Sequence, residues 1–269
     1  MSDSVLELTD RDFGLFRQLM LKEAGVSLTE AKRPLIIGRL SSRLRQLGLA
    51  DFAAYYRYVT QGQDAEEWQR MIDLLTTHET YFFREEQHFH WLKRWAAARE
   101  VDAPMIWSAA CSSGEEVYTI AMVLAEVLGL LSEWRVVGTD ISSKVVATAQ
   151  KGHYDESKLR GLPEYYKKKY CLKGTGSHAG TFLIDKKLRE HTRFQVYNLI
   201  NPQAWSERFD VVFLRNVMIY FDAPTKRQVV QQVSRQMKPR GTLIVGHSES
   251  LNGLMTGLRP LQPTIYVQE

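Results

Sequence analysis

A stretch of small and acidic residues at positions 108–116, SAACSSGEE, has the composition of a binding site for a small charged ligand. An apolar run that predicts a buried strand comes before it, and a long helical pattern follows. A tight turn between a strand and a helix presents backbone N–H groups at the carboxyl edge of a sheet, where open α/β sheets bind ligands. The turn contains one glycine, Gly114, rather than the G-x-G-x-x-G pattern that admits a pyrophosphate. We therefore favour a cationic nucleoside such as S-adenosylmethionine, whose ammonium could pair with Glu115 or Glu116, although these acids could equally complement the helix dipole.

Polar residues also follow three further predicted strands. Asp140 ends the run VVGTD and suits the two hydroxyls of a ribose, although it could simply cap the next helix. Asn198 in YNLI could bind an adenine edge while Leu199 packs on its face, and Arg215 and Asn216 begin the motif RNVMIYF. Four such strand ends would converge on one edge of one sheet, so together they predict a single nucleoside site.

The elements that must position these residues follow two patterns. Residues 9–75 predict a small module of helices: the first begins near Thr9 and stops at Gly25, the second begins at Ser27 or Thr29, and an Asp opens each of the last two. After Pro104, strand-like runs alternate with helical ones, which is typical of a mostly parallel sheet covered on both faces. Residues 164–193 interrupt the alternation, and the turn GTGSHAG between two predicted strands indicates a small antiparallel insertion.

Composition excludes several classes of protein. The chain of 269 residues is 44% hydrophobic, so it can form a real core, but it has no run of ~18 apolar residues and no basic-then-apolar leader. Cys111 and Cys171 lack metal-type spacing and predict a reduced, cytoplasmic chain. The net charge of +4 permits a nucleic-acid partner without requiring one, and five Lys or Arg without an acid cluster between Lys32 and Arg45.

We predict no metal site. His88 and His90 are two positions apart on a predicted helix and would point to different sides of it. His247 follows a predicted strand and is expected to be structural. Cys111 is expected to be a small buried thiol rather than a nucleophile.

Several of these motifs together resemble a known family. SAACSSGEE, GTDIS, YNLI, LRNVMIYF and GHSES, preceded by THETYFFRE at 77–85, are similar to the CheR-type chemoreceptor glutamate methyltransferases, and the likeness spans nearly the whole chain. It implies an α/β fold with an all-helical N-terminal domain, a Rossmann-like S-adenosylmethionine-dependent methyltransferase domain and an inserted antiparallel β-subdomain. The expected bounds are 1–76 for the helical domain, 77–100 for a linker and connecting helix, and 101–269 for the methyltransferase domain, with 164–193 as the insertion.

The resemblance also assigns residues. The positions that it implies for S-adenosylmethionine, and for its product S-adenosylhomocysteine, are His78, Thr80, Arg84, Gly114, Glu115, Asp140, Asn198, Leu199, Arg215 and Asn216. Of these, Glu115 would hold the methionine tail, Asp140 the ribose, and Asn198 with Leu199 the adenine. The family commonly has Asn at the position of His78, so this contact is a feature of the present chain.

The expected activity is that of a protein-glutamate O-methyltransferase without a metal. Arg84 would hold the substrate carboxylate, and Tyr220 would orient the methyl group or that carboxylate. Phe82 and Phe83 would anchor the segment that carries Arg84, since burying each Phe supplies ~1.5–3 kcal/mol. An ordinary surface pairing of Arg84 with Glu85 or Glu86 is the alternative.

The resemblance implies partners as well. The basic residues Arg39, Arg43 and Arg45 would face the helical bundle of a chemoreceptor in the cytoplasm, and the alternative is a solvated face. Gly174 and Gly176 would shape a hairpin that docks a receptor's C-terminal peptide by strand addition, unless they form only a flexible turn. A monomer that is not embedded in the membrane and binds no nucleic acid is expected.

Two other functions remain open at this level. The same sheet could serve a methyltransferase acting on RNA, although no aromatic and basic single-strand platform is visible. The chain could also be a non-catalytic adaptor that senses S-adenosylmethionine.

Overall fold

The chain divides into a helical unit and a sheet unit. The computed structural model describes residues 6–62, 64–98, 102–203, 205–254 and 257–269. The helical unit comprises Met1–Thr77 with Tyr220–Thr225, and the sheet unit comprises His78–Ile219 with Lys226–Glu269. The expected division between the linker and the methyltransferase domain, at 100/101, lies outside the described residues.

The helical unit contains α1 (Asp10–Ala24), α2 (Arg33–Leu47), α3 (Phe52–Gln61) and α4 (Ala65–Leu75). The side chains of Thr9, Asp51 and Asp64 accept hydrogen bonds from the first turns of α1, α3 and α4, which confirms the predicted caps. The second helix begins later than predicted, at Arg33 after a 3₁₀ turn over Glu30–Lys32. The reason is Pro34, because proline is tolerated only in the first turn of an α-helix.

The core of the helical unit is aromatic and aliphatic. Phe16 is fully buried between Tyr55, at 6.3 Å between ring centroids, and Tyr56, at 5.6 Å. Ile36 and Leu40 of α2 are also fully buried. The apolar residues are therefore spaced to meet one another across the helices.

The sheet unit alternates strands and helices as the sequence predicts. Its helices are α5 (Gln87–Ala97), α6 (Glu115–Leu128), α7 (Ser143–Lys151), α8 (Glu164–Tyr170), α9 (Lys186–Arg189) and α10 (Ala223–Arg235). Its strands are β1 (Met105–Ser108), β2 (Arg135–Asp140), β3 (His153–Asp155), β4 (Cys171–Lys173), β5 (Thr181–Ile184), β6 (Thr192–Val196), β7 (Phe209–Leu214), β8 (Met237–Val245), β9 (Leu258–Gln262) and β10 (Ile265–Gln268).

In the described part of the chain, the main sheet has seven strands in the order β6-β2-β1-β7-β8-β10-β9. The pairings from β6 through β8 are all parallel, whereas β10 is antiparallel to both β8 and β9. This mixed, mostly parallel sheet agrees with the predicted fold class. Strand β9 was not predicted, because the proline in LRPLQ is typical of an edge or of a loop, and the structure places it at the edge.

A second sheet lies within the sheet unit, with the antiparallel order β3-β5-β4. The predicted insertion supplies two of its strands, on either side of the turn GTGSHAG. The third strand, His153–Asp155, lies ahead of residue 164 and was missed because three residues are too few to show an alternating pattern.

The core of the sheet unit is built around α6. This helix is buried along most of its length, and Tyr118 on it contacts Tyr154 and Phe194. Phe82 is fully buried in the same cluster. Among the described residues, no helix combines the length and apolar character needed to cross a bilayer.

Candidate active site at the carboxyl edge of the main sheet

The predicted site residues follow four neighbouring strands. Strands β6, β2, β1 and β7 are adjacent in the sheet and parallel, so their carboxyl ends lie along one edge. Asp140 ends β2, the turn at 109–114 follows β1, Arg215 comes directly after β7, and Asn198 lies two residues beyond β6. The topology thus brings these strand ends together, although they are up to about 100 residues apart in sequence.

The turn after β1 depends on a glycine. Gly114 has φ 96° and ψ −1°, and a Cβ at this position would lie 2.8 Å from Cβ of Ala149 and 3.1 Å from the Tyr154 hydroxyl. Both the left-handed conformation and the close approach require glycine. Cys111 in this turn is buried, and burial followed by the nearby charge of Asp140 raises the pKa of its thiol. It is therefore neutral and unreactive, as predicted.

Asp140 is bound to the neighbouring turn. Its Oδ2 accepts from the backbone N–H of Ser112 at 2.9 Å, and its Oδ1 accepts from that of Ser142 at 3.0 Å. Nδ1 of His78 lies 3.9 Å from the same Oδ1, and the Ser112 hydroxyl donates to the carbonyl of His78. Asp140 therefore accepts from the residue before α7 rather than from the first turn of that helix, and it joins three segments of the candidate site.

Glu115 lies at the first position of α6 and is fully buried. Its Oε2 accepts from the Ser113 hydroxyl at 2.7 Å, and its Oε1 accepts from Nζ of Lys158 at 3.0 Å. A buried carboxylate requires such partners, since an unpaired charge inside a protein costs several kcal/mol. Lys158 was not singled out in the sequence, because it lies in a polar segment without a recognisable motif.

The segment THETYFFRE is anchored by Phe82. This ring packs against Tyr154 at 5.8 Å and Phe182 at 6.1 Å between centroids. Phe83 and Glu85, on either side of Arg84, have φ of 58°, a strained conformation for residues other than glycine. Nη1 of Arg84 donates to the carbonyl of Glu79 at 2.8 Å, so the side chain turns back along its own segment rather than pairing with Glu85.

Arg215 is the centre of a buried charge cluster. Its side chain is 1% exposed, and it donates to Oε2 of Glu116 at 2.7 Å and to Oε2 of Glu85 at 3.0 Å. It also donates to the carbonyl of Arg84 at 2.6 Å. Its cation lies 5.5 Å from the Phe89 ring centroid. Arg215 therefore holds the Arg84 segment against α6, a role that the sequence analysis did not foresee.

Asn216 extends this cluster to the end of β8. Its side-chain amide donates to Glu85 at 3.1 Å, and its backbone N–H donates to Glu249 at 2.8 Å. Glu249 also accepts from the N–H of Gly246 at 2.7 Å. Asn216 has φ of 56°, which this network stabilises. Glu85 and Glu249 are carboxylates of this cluster that the sequence analysis did not single out, although both lie inside the quoted motifs, and Glu116 was considered only as a partner of an ammonium.

Glu85 remains ionised in this cluster. Burial raises its pKa, but the charge and hydrogen bonds of Arg215, together with Asn216, outweigh burial and leave the pKa below its ordinary value. Ligand atoms of Glu85, His88 and His247 lie within 4.8 Å of one another. The Glu85 carboxylate in this group already has a cationic partner in Arg215.

His88 is a buried neutral histidine. The Thr264 hydroxyl donates to the carbonyl of Pro263 at 2.6 Å, so it accepts from Nε2 of His88 at 2.8 Å. This arrangement places the imidazole proton on Nε2. Burial and the charge of Arg215 lower the pKa of His88 to about 3.

The remaining predicted cofactor residues take part in fewer contacts. Oδ1 of Asn198 accepts from the N–H of Ile200 at 3.1 Å, which fixes the loop after β6, and Leu199 is buried. Thr80 is half-buried in the segment before Phe82. Their roles toward an adenosyl group stay predictions.

Some predicted residues belong to the helical unit. Tyr220 lies in the segment Tyr220–Thr225 of that unit, and its carbonyl accepts from the N–H of Ser27 at 2.8 Å. Arg39 donates to the carbonyls of Leu74 and Thr76, and Arg43 is paired with Glu67. Arg45 is exposed, and its Nε donates to the carbonyl of Ser41.

Gly174 and Gly176 lie between β4 and β5. The N–H of Gly174 donates to the carbonyl of Thr181 at 2.8 Å, and a Cβ on Gly174 would meet the carbonyl oxygen of His178. Gly176 has φ of 58°. Both glycines are therefore required by the hairpin itself.

The residues at the carboxyl ends of β1 and β2 fit S-adenosylmethionine. The residues at 109–114 include no Lys or Arg that would attract a phosphate, whereas the buried Glu115 suits an ammonium and Asp140 suits a ribose diol.

Two family models match the chain: "CheR methyltransferase, all-alpha domain" over residues 11–76, and "CheR methyltransferase, SAM binding domain" over residues 78–267. The chain belongs to the CheR methyltransferase family.

Curated relatives support the CheR assignment over almost the full length. The "Chemotaxis protein methyltransferase" of Salmonella typhimurium is 38% identical over 97% of this chain and 91% of its own length. That of Escherichia coli is also 38% identical, over 97% and 92%. "Chemotaxis protein methyltransferase 2" of Pseudomonas aeruginosa is 37% identical over 96% and 93%.

Membership of the CheR family confirms three predictions. The fold is a helical domain followed by a Rossmann-like methyltransferase domain, the chain is a methyltransferase, and its cofactor is S-adenosylmethionine. Among solved structures, the glycopeptide N-methyltransferase MtfA with bound S-adenosylmethionine is 16% identical over 57% of this chain and 47% of its own, with a TM-score of 0.35.

Proposed function

We propose that this chain methylates glutamate side chains on the cytoplasmic helices of chemoreceptors, giving glutamyl methyl esters for chemotactic adaptation. The observation that carries the proposal is the match, over 97% of the chain, to relatives named chemotaxis protein methyltransferases. Five of the six motifs that carry the resemblance, all except THETYFFRE, follow strands that are neighbours in the main sheet. The chain would act in the cytoplasm as a monomer.

Cofactor binding is assigned to residues of the sheet unit. S-adenosylmethionine, when bound, supplies an electrophilic methyl group on a sulfonium. Glu115 would pair with its ammonium, Asp140 would accept from the ribose hydroxyls, and Asn198 with Leu199 would hold the adenine. His78 lies 3.9 Å from Asp140 and would adjoin the ribose. Thr80, Gly114, Arg215 and Asn216 would complete the pocket.

The nucleophile is a carboxylate that is already ionised near pH 7, so the transfer needs neither a general base nor a metal. Oxygen, methyl carbon and sulfur must be aligned, and positioning of this kind contributes ~7–11 kcal/mol. Arg84 would hold the substrate carboxylate through its planar fork, and Tyr220 would orient the reacting groups through its hydroxyl. The buried Phe82 and the bond from Arg215 to the Arg84 carbonyl support this role by fixing the backbone at Arg84.

Two surfaces would receive the receptor. Arg45 is the exposed member of the predicted basic set, whereas Arg39 and Arg43 are half-buried, so Arg45 is the best probe of a receptor-facing surface. Strand β4 is an edge of the small sheet, and Leu172 on it is exposed. A receptor's C-terminal peptide could add to this edge beside the hairpin of Gly174 and Gly176.

The direct test is transfer of labelled methyl groups to cytoplasmic receptor fragments, with base-labile label as the readout. Arg84→Ala and Tyr220→Phe should each reduce turnover at least 100-fold while calorimetry detects S-adenosylmethionine binding by both variants. Arg94→Ala, at an exposed position of α5, is the matched control and should retain full turnover.

Three results would reject parts of the proposal. Label incorporated into RNA rather than receptor would favour the RNA methyltransferase. Tight cofactor binding without any transfer would favour the non-catalytic adaptor. Normal turnover in both variants would remove the roles of Arg84 and Tyr220.

A further inference from the structure

The contact between Lys158 and Glu115 joins a partly exposed cation to a buried anion. Nζ of Lys158 lies 3.0 Å from Oε1 of Glu115, and the two side chains are 41% and 0% exposed. An ammonium has three donors, and among the described contacts Lys158 uses one of them, on Glu115. Its remaining donors are therefore available on the solvent side of this pair.

The segment that carries Lys158 is held against the candidate cofactor site at both of its ends. On one side, the Tyr154 hydroxyl donates to the carbonyl of Ser113 at 2.7 Å. On the other side, Gly161 packs so closely on Phe82 that a Cβ would lie 2.5 Å from the Phe82 carbonyl oxygen. Between these anchors, Lys158 lies in a 3₁₀ turn over Glu156–Leu159, which the side chain of Asp155 caps. The backbone therefore keeps Lys158 beside Glu115.

A pair of opposite charges in contact matches the zwitterionic end of methionine. The α-ammonium and α-carboxylate of an amino acid share one carbon, so the nitrogen and the carboxyl carbon are about 2.5 Å apart by standard bond lengths. A ligand whose ammonium reaches Glu115 therefore carries its carboxylate close to a cation that already touches the same glutamate. Charge-assisted hydrogen bonds of this kind are stronger than neutral ones.

We propose that Lys158 binds the α-carboxylate of the methionine portion of S-adenosylmethionine, so that Glu115 and Lys158 together select the intact zwitterion. This inference rests on the proposed role of Glu115 in binding the ammonium. In the competing arrangement, the ammonium simply displaces Lys158 from Glu115. Removal of Lys158 would then increase the affinity for S-adenosylmethionine, whereas our proposal predicts a decrease.

The test compares two ligands by calorimetry: S-adenosylmethionine, and decarboxylated S-adenosylmethionine, which keeps the ammonium and sulfonium but lacks the carboxylate. The unmodified chain should bind the intact ligand about tenfold more tightly or better, as expected for a hydrogen bond between charged groups that are partly exposed. Lys158→Met should lose about tenfold in affinity for the intact ligand, change little for the decarboxylated one, and so lose most of the preference.

Two further variants control this comparison. Lys167→Met removes a lysine of the same unit with nearly the same exposure, 42%, whose partner is Glu164, and it should leave both affinities unchanged. Lys158→Arg keeps a cation and should retain the preference. Lys158→Met should lower the melting temperature, because it leaves the buried Glu115 without its cation, whereas Lys167→Met breaks an exposed pair and should not. The preference between the two ligands is measured on the same folded variant and does not depend on this loss of stability.

The proposal is overturned if Lys158→Met keeps the preference of the unmodified chain or binds S-adenosylmethionine more tightly. Glu115→Gln distinguishes this result from failure of the proposed cofactor site. It should weaken both ligands by a similar factor, since both carry the ammonium. If Glu115→Gln bound both ligands normally, the assignment of Glu115 would fail and the selection by the charge pair would fail with it.

Discussion

The guanidinium of Arg215 donates a 2.6 Å hydrogen bond to the main-chain carbonyl of Arg84, which lies 131 residues earlier in the chain. The same guanidinium is paired with Glu85 and Glu116, and the side chain is almost completely buried. The residue after β7 therefore positions the backbone of the proposed substrate-binding arginine through direct bonds. Loss of Arg215 should consequently affect both folding and activity.

Arg215→Ala should lower the free energy of unfolding by ~3–5 kcal/mol, because it leaves Glu85 and Glu116 buried without their counter-ion. Denaturant unfolding followed by tryptophan fluorescence measures this change. Arg193→Ala breaks a more exposed pair with Glu207 and should cost less than ~1 kcal/mol. Equal effects of the two substitutions would show that the buried cluster is not the stabilising feature.

Gly114→Ala should destabilise the fold more than replacement of a glycine that has a positive φ but space around its Cβ position. The alanine at 114 would have a strained positive φ and would also collide with Ala149, at a cost of ~1–3 kcal/mol beyond the conformational strain. Gly48→Ala is the matched control, since Gly48 has φ of 66° but nothing within 4 Å of its added Cβ. Unfolding and S-adenosylmethionine titrations should show a large loss of stability and of cofactor affinity for Gly114→Ala but not for Gly48→Ala. Similar losses in the two variants would contradict the steric argument.

Stability should decrease as the pH falls below about 6.5. The pKa of His88 is about 3 in the folded chain against an ordinary 6.5, so its neutral form is the folded form. The contribution of neutral His88 to the free energy of unfolding is fully present above pH 6.5. It is lost as the pH falls from 6.5 toward 3, at up to ~1.4 kcal/mol per pH unit. The pKa of Glu85 is also lowered, so its contribution is lost over a more acidic range, below about 4.5.

Unfolding measured between pH 5 and 8 checks this prediction. His88→Gln should flatten the decrease in stability between pH 6.5 and 5, whereas His90→Gln, at an exposed position, should leave the slope unchanged. An unaltered slope in His88→Gln would mean that another group titrates.

Arg43→Ala should destabilise the helical unit. Glu67 is 2% exposed and is bound by Arg43 and by the Tyr55 hydroxyl at 2.9 Å, so removal of the arginine leaves a buried carboxylate with reduced compensation. We expect a loss of ~3–5 kcal/mol, visible as faster hydrogen exchange in α2 and α4. Protection equal to that of the unmodified chain would contradict this role.

Arg45→Glu separates receptor binding from folding. Arg45 is exposed, so the substitution should leave hydrogen exchange unchanged. If the basic face of α2 meets the receptor, the Michaelis constant for receptor fragments should rise, and by less at high salt. Unchanged kinetics at low salt would assign Arg45 to a solvated face.

The sequence predicted the strands and helices well wherever hydrophobic periodicity was strong. The Asp caps of α3 and α4, the glycine stop of α1 and the strands that end at Asp140 and Leu214 follow from local chemistry, which a single segment contains in full. Strands β3 and β9 were missed because three residues carry no period and because proline disfavours a strand. The late start of α2 reflects Pro34, whose steric effect outweighed the earlier cap residues.

For the site, the sequence by itself determined which residues stand at strand ends and, through the resemblance, which cofactor the chain uses. Only the tertiary structure decided their partners. That Arg215 holds the Arg84 carbonyl, that Glu115 pairs with Lys158, and that Arg43 is committed to Glu67 depend on contacts between residues 24 to 131 positions apart. Such pairings are fixed by the packing of strands and helices, because a buried charge must find its partner in space, and no local pattern of residue types specifies which one it finds.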